Sequence, residues 1–173
     1  MKEVEIRAKI TDNTVASIER IGAVLKYESH EIDDYFKFGK DIDRKLVLRI
    51  RTSSKKTLLT FKGSAKGEDI VWSEWETEIE RPEELKKLLL ANGMVKVTTI
   101  NKHRKSFSFG KFEINVDDIK NLGNFIEVQV MSENVSEARA EIEQILNRLG
   151  IQKEKFITKG YVPLMLESGA TFK

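Results

Sequence analysis

Acids and bases in this 173-residue chain fall at alternate positions of its extended segments, so each segment presents one ionisable face. Residues 3 to 10 set the pattern: Glu3, Glu5, Arg7 and Lys9 share one face, and Val4, Ile6, Ala8 and Ile10 share the other. That is the period-two signature of a strand. It recurs with Arg49 and Arg51, with Thr60 and Lys62, and with the series Trp72, Glu74, Glu76, Glu78 and Glu80. Later segments carry Lys102, Arg104 and Ser106, then Lys111, Glu113 and Asp117, then Glu127 and Gln129. The bases are fork and point-charge donors suited to phosphate oxygens. Carboxylates on the same faces would repel a phosphate, and a divalent cation removes the conflict by taking carboxylates on one side and phosphate oxygens on the other. The chemistry supported by these residue types is that of a metal-bound polyphosphate. With no cysteine and only two histidines, disulfides and thiolate catalysis are excluded, and any metal is expected to be a hard one held by oxygen.

The elements that must position these groups follow from the same periodicities. Thr11 to Asn13 offer N-caps for a short helix carrying Val15, Ile18 and Ile21 and stopped at Gly22. An extended stretch from about 24 to 38, a turn at 39 to 43 and two strands joined by the SSKK turn come next, with a loop at 63 to 69 before the glutamate-rich strand. Pro82 at a first helical position, Glu83 and Glu84 in the first turn, the stripe Leu85, Leu88 and Leu89, and Gly93 as the stop predict a second helix. Strands at about 95 to 109, 111 to 117 and 124 to 131 precede the strongest helical stripe, Ala138, Ile142, Ile145, Leu146 and Leu149, closed by Gly150. The tail from Lys159 to Leu166 reads as weakly ordered, with Pro163 restricting any helix.

Taken alone, a strand with one charged face is most simply solvated on that face. Here the helices carry apolar stripes that need cover. If they lie on the apolar strand faces, the charged faces look at one another, and an antiparallel sheet closed in this way is an inverted barrel. The expected fold is α+β: an eight-stranded antiparallel barrel with a charged lumen and helices packed outside, one domain over residues 1–173. Phe107 and Phe109 are expected in the core, Glu80 outside the tunnel, and His30 and His103 as unpartnered surface or packing residues. Truncating Arg49, Arg51 or Lys62 is expected to leave stability almost unchanged, since like charges are separated.

Thirty Lys and Arg against 28 Asp and Glu give a net charge of +2, too balanced to suggest a nucleic-acid partner. No apolar run approaches the roughly 18 residues of a membrane helix, and the opening MKEVEIRAKI lacks the apolar segment of a secretory signal. No membrane partner and a cytoplasmic location are expected, as a monomer or homodimer.

The ordered series Glu3-x-Glu5-x-Arg7, Glu31-x-Asp33-x-Tyr35-Phe36, LRIR at 48 to 51, LTFKG at 59 to 63, Glu74/Glu76/Glu78, Lys102-x-Arg104, Asp117 and GNFIEV at 123 to 128 resembles the CYTH superfamily, the triphosphate tunnel metalloenzymes. The resemblance runs from about residue 1 to 166 and looks most like the compact proteins grouped with class IV adenylyl cyclases. It implies a tunnel that binds a triphosphate with Mg²⁺ or Mn²⁺ and cleaves it. Glu3, Glu5 and Glu127 would be metal ligands at the catalytic centre, with Asp117 and Gln129 near the metal and Glu76 and Glu78 supporting it or holding a second metal. Arg49, Arg51, Lys62, Lys102 and Arg104 would hold the phosphates, with Arg7, Lys9 and Lys159 assisting. The family's opening lysine is Arg7 here, its glutamine before the acidic segment is Glu31, read as a surface variation, and one of its paired acids on the last strand is Gln129. That last change leaves the expected metal site one negative charge short. Cyclisation of ATP to cyclic AMP and pyrophosphate, hydrolysis of an inorganic or organic triphosphate such as thiamine triphosphate, and non-catalytic nucleotide or polyphosphate binding all remain open at this level.

Overall fold

The computed structural model describes residues 2–11, 14–38, 46–63, 71–157 and 159–169. The caps expected at Asp12 and Asn13, the turn at 39–43, the loop at 64–69 and the side chain of Trp72 lie outside the described residues. The chain runs β1 (Lys2–Lys9), α1 (Thr14–Arg20), β2 (Val24–Phe38), β3 (Leu46–Ser53), β4 (Thr57–Gly63) and β5 (Val71–Glu78). It continues through α2 (Pro82–Ala91), β6 (Met94–Phe109), β7 (Phe112–Ile119), β8 (Gly123–Ser132) and α3 (Val135–Arg148). A single 3-10 turn (Lys153–Lys155), the two-residue β9 (Phe156–Ile157) and α4 (Tyr161–Glu167) complete it.

The strands pair antiparallel in the order β5, β4, β3, β2, β6, β7, β8, β1, and β5 pairs again with β1 through Glu3 opposite Trp72 and Val4 opposite Val71. This pairing joins the two ends of the row, so eight strands form a closed circuit. β9 takes the remaining edge of β1 at Arg7 and Ala8.

Closure separates the two faces of every strand. Val4, Ile6 and Ala8 of β1 point outward, where Ile142, Ile145 and Leu146 of α3 and Ile18 of α1 cover them in one core. Phe36, Leu48 and Ile50 point outward under Leu85 and Leu89 of α2. Each fully buried aliphatic side chain there contributes about 1.5–3 kcal/mol, which is what holds the charged faces inward.

The tail departs from expectation. Residues 161–167 form α4, with Tyr161 and Met165 buried against Ile100, Ile119 and Phe125. Those three lie on the strand faces that also carry Lys102, Asp117 and Glu127, so α4 closes one end of the lumen. Pro163 does not prevent the helix because it falls in its first turn, where the backbone N–H has no helical acceptor to lose.

Candidate functional site

The strand registers arrange the lumen in rows. One row places Arg7 of β1, Glu127 of β8, Asn115 of β7 and Ser106 of β6 directly opposite one another in turn. The next row toward the start of β1 places Glu5, Gln129 and Glu113 side by side. Further round, Asp33 of β2 faces Arg51 of β3, and Thr60 of β4 faces both Arg49 of β3 and Glu76 of β5.

Acids and bases alternate round the circuit from Glu3 to Glu5, the two acids that meet on β1. Lys62 bridges Glu3 and Glu74, each at 2.7 Å. Arg49 links Glu74 at 3.5 Å to Asp33 at 3.8 Å, and Arg51 links Asp33 at 2.7 Å to Glu31 at 3.2 Å. Lys102 carries the chain from Glu31 at 3.4 Å to Asp117 at 3.2 Å. Arg104 grips Asp117 at 2.6 Å and reaches Glu127 at 3.3 Å. Arg7 joins Glu127 to Glu5, at 2.6 Å each, and returns the chain to β1. Buried charges persist only when paired in this way, and removing one partner of such a pair is far more damaging than the pair is stabilising. The premise that truncating Arg49, Arg51 or Lys62 separates like charges does not hold, because each is the counterion of a buried carboxylate, and each truncation should instead be destabilising.

Burial and these pairings move the carboxyl groups in opposite directions. Burial disfavours the ionised form of Glu127, but Arg7 and Arg104 outweigh it and hold the group at about 2. Asp33, beside Arg51 and Arg49, and Asp117, beside Arg104 and Lys102, lie well below the usual carboxylate range for the same reason. Glu3 goes the other way: burial, with Glu5 and Glu74 adding repulsion, outweighs Lys62 and pushes it up to about 7. A depressed carboxyl stabilises the fold above its unfolded value, near 4.5 for a glutamate, and loses that contribution as pH falls through the folded value. A raised one stabilises below 4.5 and loses its contribution as pH rises toward 7. The melting temperature should therefore fall steeply below about pH 4.5 and decline more gently between 4.5 and 7. Glu3→Gln should flatten the second limb alone in a pH series of thermal melts, and an unaltered second limb would show that Glu3 titrates normally.

Most of the residues singled out from sequence meet in this lumen: Glu3, Glu5, Arg7, Arg49, Arg51, Lys62, Lys102, Arg104, Asp117 and Glu127. Glu76 stands at its margin, accepting a hydrogen bond from Thr60 at 3.0 Å. Three do not join it: Lys9 and Glu78 are exposed at strand ends, and Lys159 lies outside the lumen, bonded to Glu167 at 2.6 Å. Glu31 is buried in the circuit and is no surface variation. Sequence reasoning assigned no role to Asp33, which the alternation of Glu31, Asp33 and Tyr35 could have exposed. It also missed Glu113, Asn115 and Tyr161, whose hydroxyl donates to Asp117 at 3.0 Å while its ring lies beneath Arg7. His30 and His103 are partners after all, stacked at 4.5 Å across β2 and β6 on the outer face.

The donors in the lumen fit a hard divalent cation. They are carboxylate and amide oxygens, with both histidines on the other side of the wall, and the Asn115 Oδ1 is buried without a hydrogen-bond partner. Among the described residues no three carboxylates or imidazoles are gathered into a ready-made cage, because bases stand between the acids.

A closed antiparallel circuit lined by alternating buried acids and bases, with helices outside, defines the class: a charged-lumen tunnel protein. The CYTH domain model matches residues 1–161, and the chain belongs to that family. It is 30% identical over 95% of its length, and 98% of the relative's, to a Methanocaldococcus jannaschii protein provisionally named an adenylate cyclase. A solved Pyrococcus horikoshii protein, PH1012, superimposes with a TM-score of 0.87 at 22% identity, covering 94% of this chain and 98% of that one. A Hippeastrum adenylyl cyclase homologue, described as having a dominant triphosphatase activity, superimposes with a TM-score of 0.68 at 15% identity over 99% and 97% of the two chains. Among the described residues no helix is long and apolar enough to cross a membrane.

Proposed function

We propose that this chain is a metal-dependent enzyme that binds a triphosphate in its lumen and cleaves it in the manner of a class IV adenylyl cyclase. The observation that carries this reading is the alternating circuit of ion pairs. A triphosphate can take Arg49, Arg51, Lys62, Lys102 and Arg104 only by displacing the carboxylates they now hold. Each displaced carboxylate is then a buried charge without a counterion, a state too unfavourable to persist.

Glu3, Glu5 and Glu127 are the residues that would hold a Mg²⁺ or Mn²⁺ ion, which supplies charge neutralisation and Lewis acidity when bound. The bases then grip and orient the phosphates, and Arg7 and Tyr161 hold Glu5, Glu127 and Asp117 in place. In the cyclase reading the ribose 3′-hydroxyl of ATP attacks the α-phosphorus in line, forming the cyclic ester and breaking the bond to pyrophosphate. A second reading, attack of water on a terminal phosphorus, is favoured by the lumen's composition: its rows of charged and small polar side chains complement a bare polyphosphate. It is also the activity described for the Hippeastrum protein.

Inorganic triphosphate with Mn²⁺ should raise the melting temperature, because a ligand selective for the folded state stabilises it by mass action. EDTA should abolish most of the shift, and an equal shift without metal would sink the exchange argument. ATP and inorganic triphosphate, with products separated by chromatography, distinguish cyclic AMP plus pyrophosphate from released phosphate. Arg51→Ala should weaken triphosphate binding by about 1.5–3 kcal/mol, the typical worth of a charged hydrogen bond, as read by titration calorimetry.

A further inference from the structure

In the lumen circuit every buried carboxylate has a basic partner. Glu113, which is half-buried, is different: it faces the lumen one row from Glu127, yet no ion pair reaches it among the described residues, and it only accepts a hydrogen bond from the Asn115 side-chain amide at 2.9 Å. Its row reads Glu5, Gln129, Glu113, so the neutral Gln129 lies between two acids on neighbouring strands. The Asn115 Oδ1, in the adjoining row beside Glu127, is fully buried without a partner. Arg7 answers Glu5 and Glu127 in this part of the lumen, at 2.6 Å each, but among the described residues no base pairs with Glu113 or with the Asn115 carbonyl oxygen.

We infer that Glu113, with the carbonyl oxygens of Gln129 and Asn115, completes the divalent-cation site whose other carboxylates are Glu3, Glu5 and Glu127. The inference rests on the metal-dependent reading above and deepens it. Glu113 supplies from β7 the charge that position 129 lacks on β8. Cross-strand neighbours directly opposite have their Cβ atoms about 4.5–5.5 Å apart, so a cation between them is within reach of either side chain. Four carboxylates and two amides offer oxygen alone, the donor set of Mg²⁺, Mn²⁺ or Ca²⁺.

The experiment measures Mn²⁺ binding by electron paramagnetic resonance, with Mn²⁺ alone and with Mn²⁺ plus inorganic triphosphate. It compares the unaltered protein with Glu113→Gln and with the double variant Glu113→Gln plus Gln129→Glu, and records thermal melts of all three. The expected result is a loss of roughly tenfold or more in Mn²⁺ affinity for Glu113→Gln, within the span seen when a metal's supporting groups are removed. The double variant, which moves the charge back to β8, should return to within about threefold of the starting affinity. Glu113→Gln binding Mn²⁺ as tightly as the unaltered protein overturns the inference and leaves the metal-dependent reading intact. A loss that the double variant does not restore also overturns it, since Glu113 then acts only by holding Asn115. An unaltered protein that binds no Mn²⁺ in either condition overturns both.

Discussion

Asp117→Asn should lower the stability of this protein by about 3–5 kcal/mol, the usual consequence of removing one member of a buried ion pair. For a chain of this size that corresponds to a fall of about 6–20 °C in melting temperature. Asp117 is fully buried and accepts from Lys102 at 3.2 Å, from two nitrogens of Arg104 at 2.6 Å and from the Tyr161 hydroxyl at 3.0 Å. Asparagine keeps the shape and one acceptor but leaves two buried cations short of a counterion. The same variant offers a second readout. Inorganic triphosphate added in EDTA should stabilise Asp117→Asn more than the unaltered protein, because the freed bases no longer have to be taken from a carboxylate. A loss below about 1 kcal/mol, the range of exposed pairs, would mean that water screens the lumen and that the circuit does not govern stability.

Glu127→Gln should reduce triphosphate cleavage by about 100-fold or more at limiting metal, at the upper end of what the loss of a metal-supporting group produces. Glu127 is buried between Arg7 and Arg104, and it is the carboxylate nearest in register to the unpartnered Asn115 oxygen. Losing its charge would weaken the proposed cation site and leaves Arg7 with Glu5 as its remaining carboxylate partner. Activity should recover in part as Mn²⁺ is raised, since weaker binding is offset by mass action. Full activity at every metal concentration would remove β8 from the site, and an active protein with that property would not use the metal arrangement proposed here.

Much of this architecture is legible in the chain itself, for reasons that are local. Period-two alternation in β1, β3, β4 and β6 separates charge from apolar surface within a few residues, and the leucine and isoleucine stripes of α2 and α3 state which surface must be covered. The residue types on the charged faces point, without any coordinates, to the phosphate and hard cation proposed as ligands. Legibility fails where the local signal is broken or the partner is distant. β2 has register irregularities at Leu25/Tyr27 and Tyr35/Phe36, which obscure the alternation that puts Glu31 and Asp33 in the lumen. α4 is too short to announce itself and carries Pro163, and its order comes from burying Tyr161 and Met165 against three other segments. The pairing of acids with bases is decided only by closure of the sheet. Glu3 meets Lys62 across 59 positions of sequence, and nothing in either strand indicates which base answers which acid. Glu113 carries the same charge in the sequence as Glu127, and only the tertiary structure shows that Glu127 has two arginine partners and that Glu113 has none among the described residues. Charge type belongs to the residue; charge balance belongs to the space in which residues from eight strands are brought together.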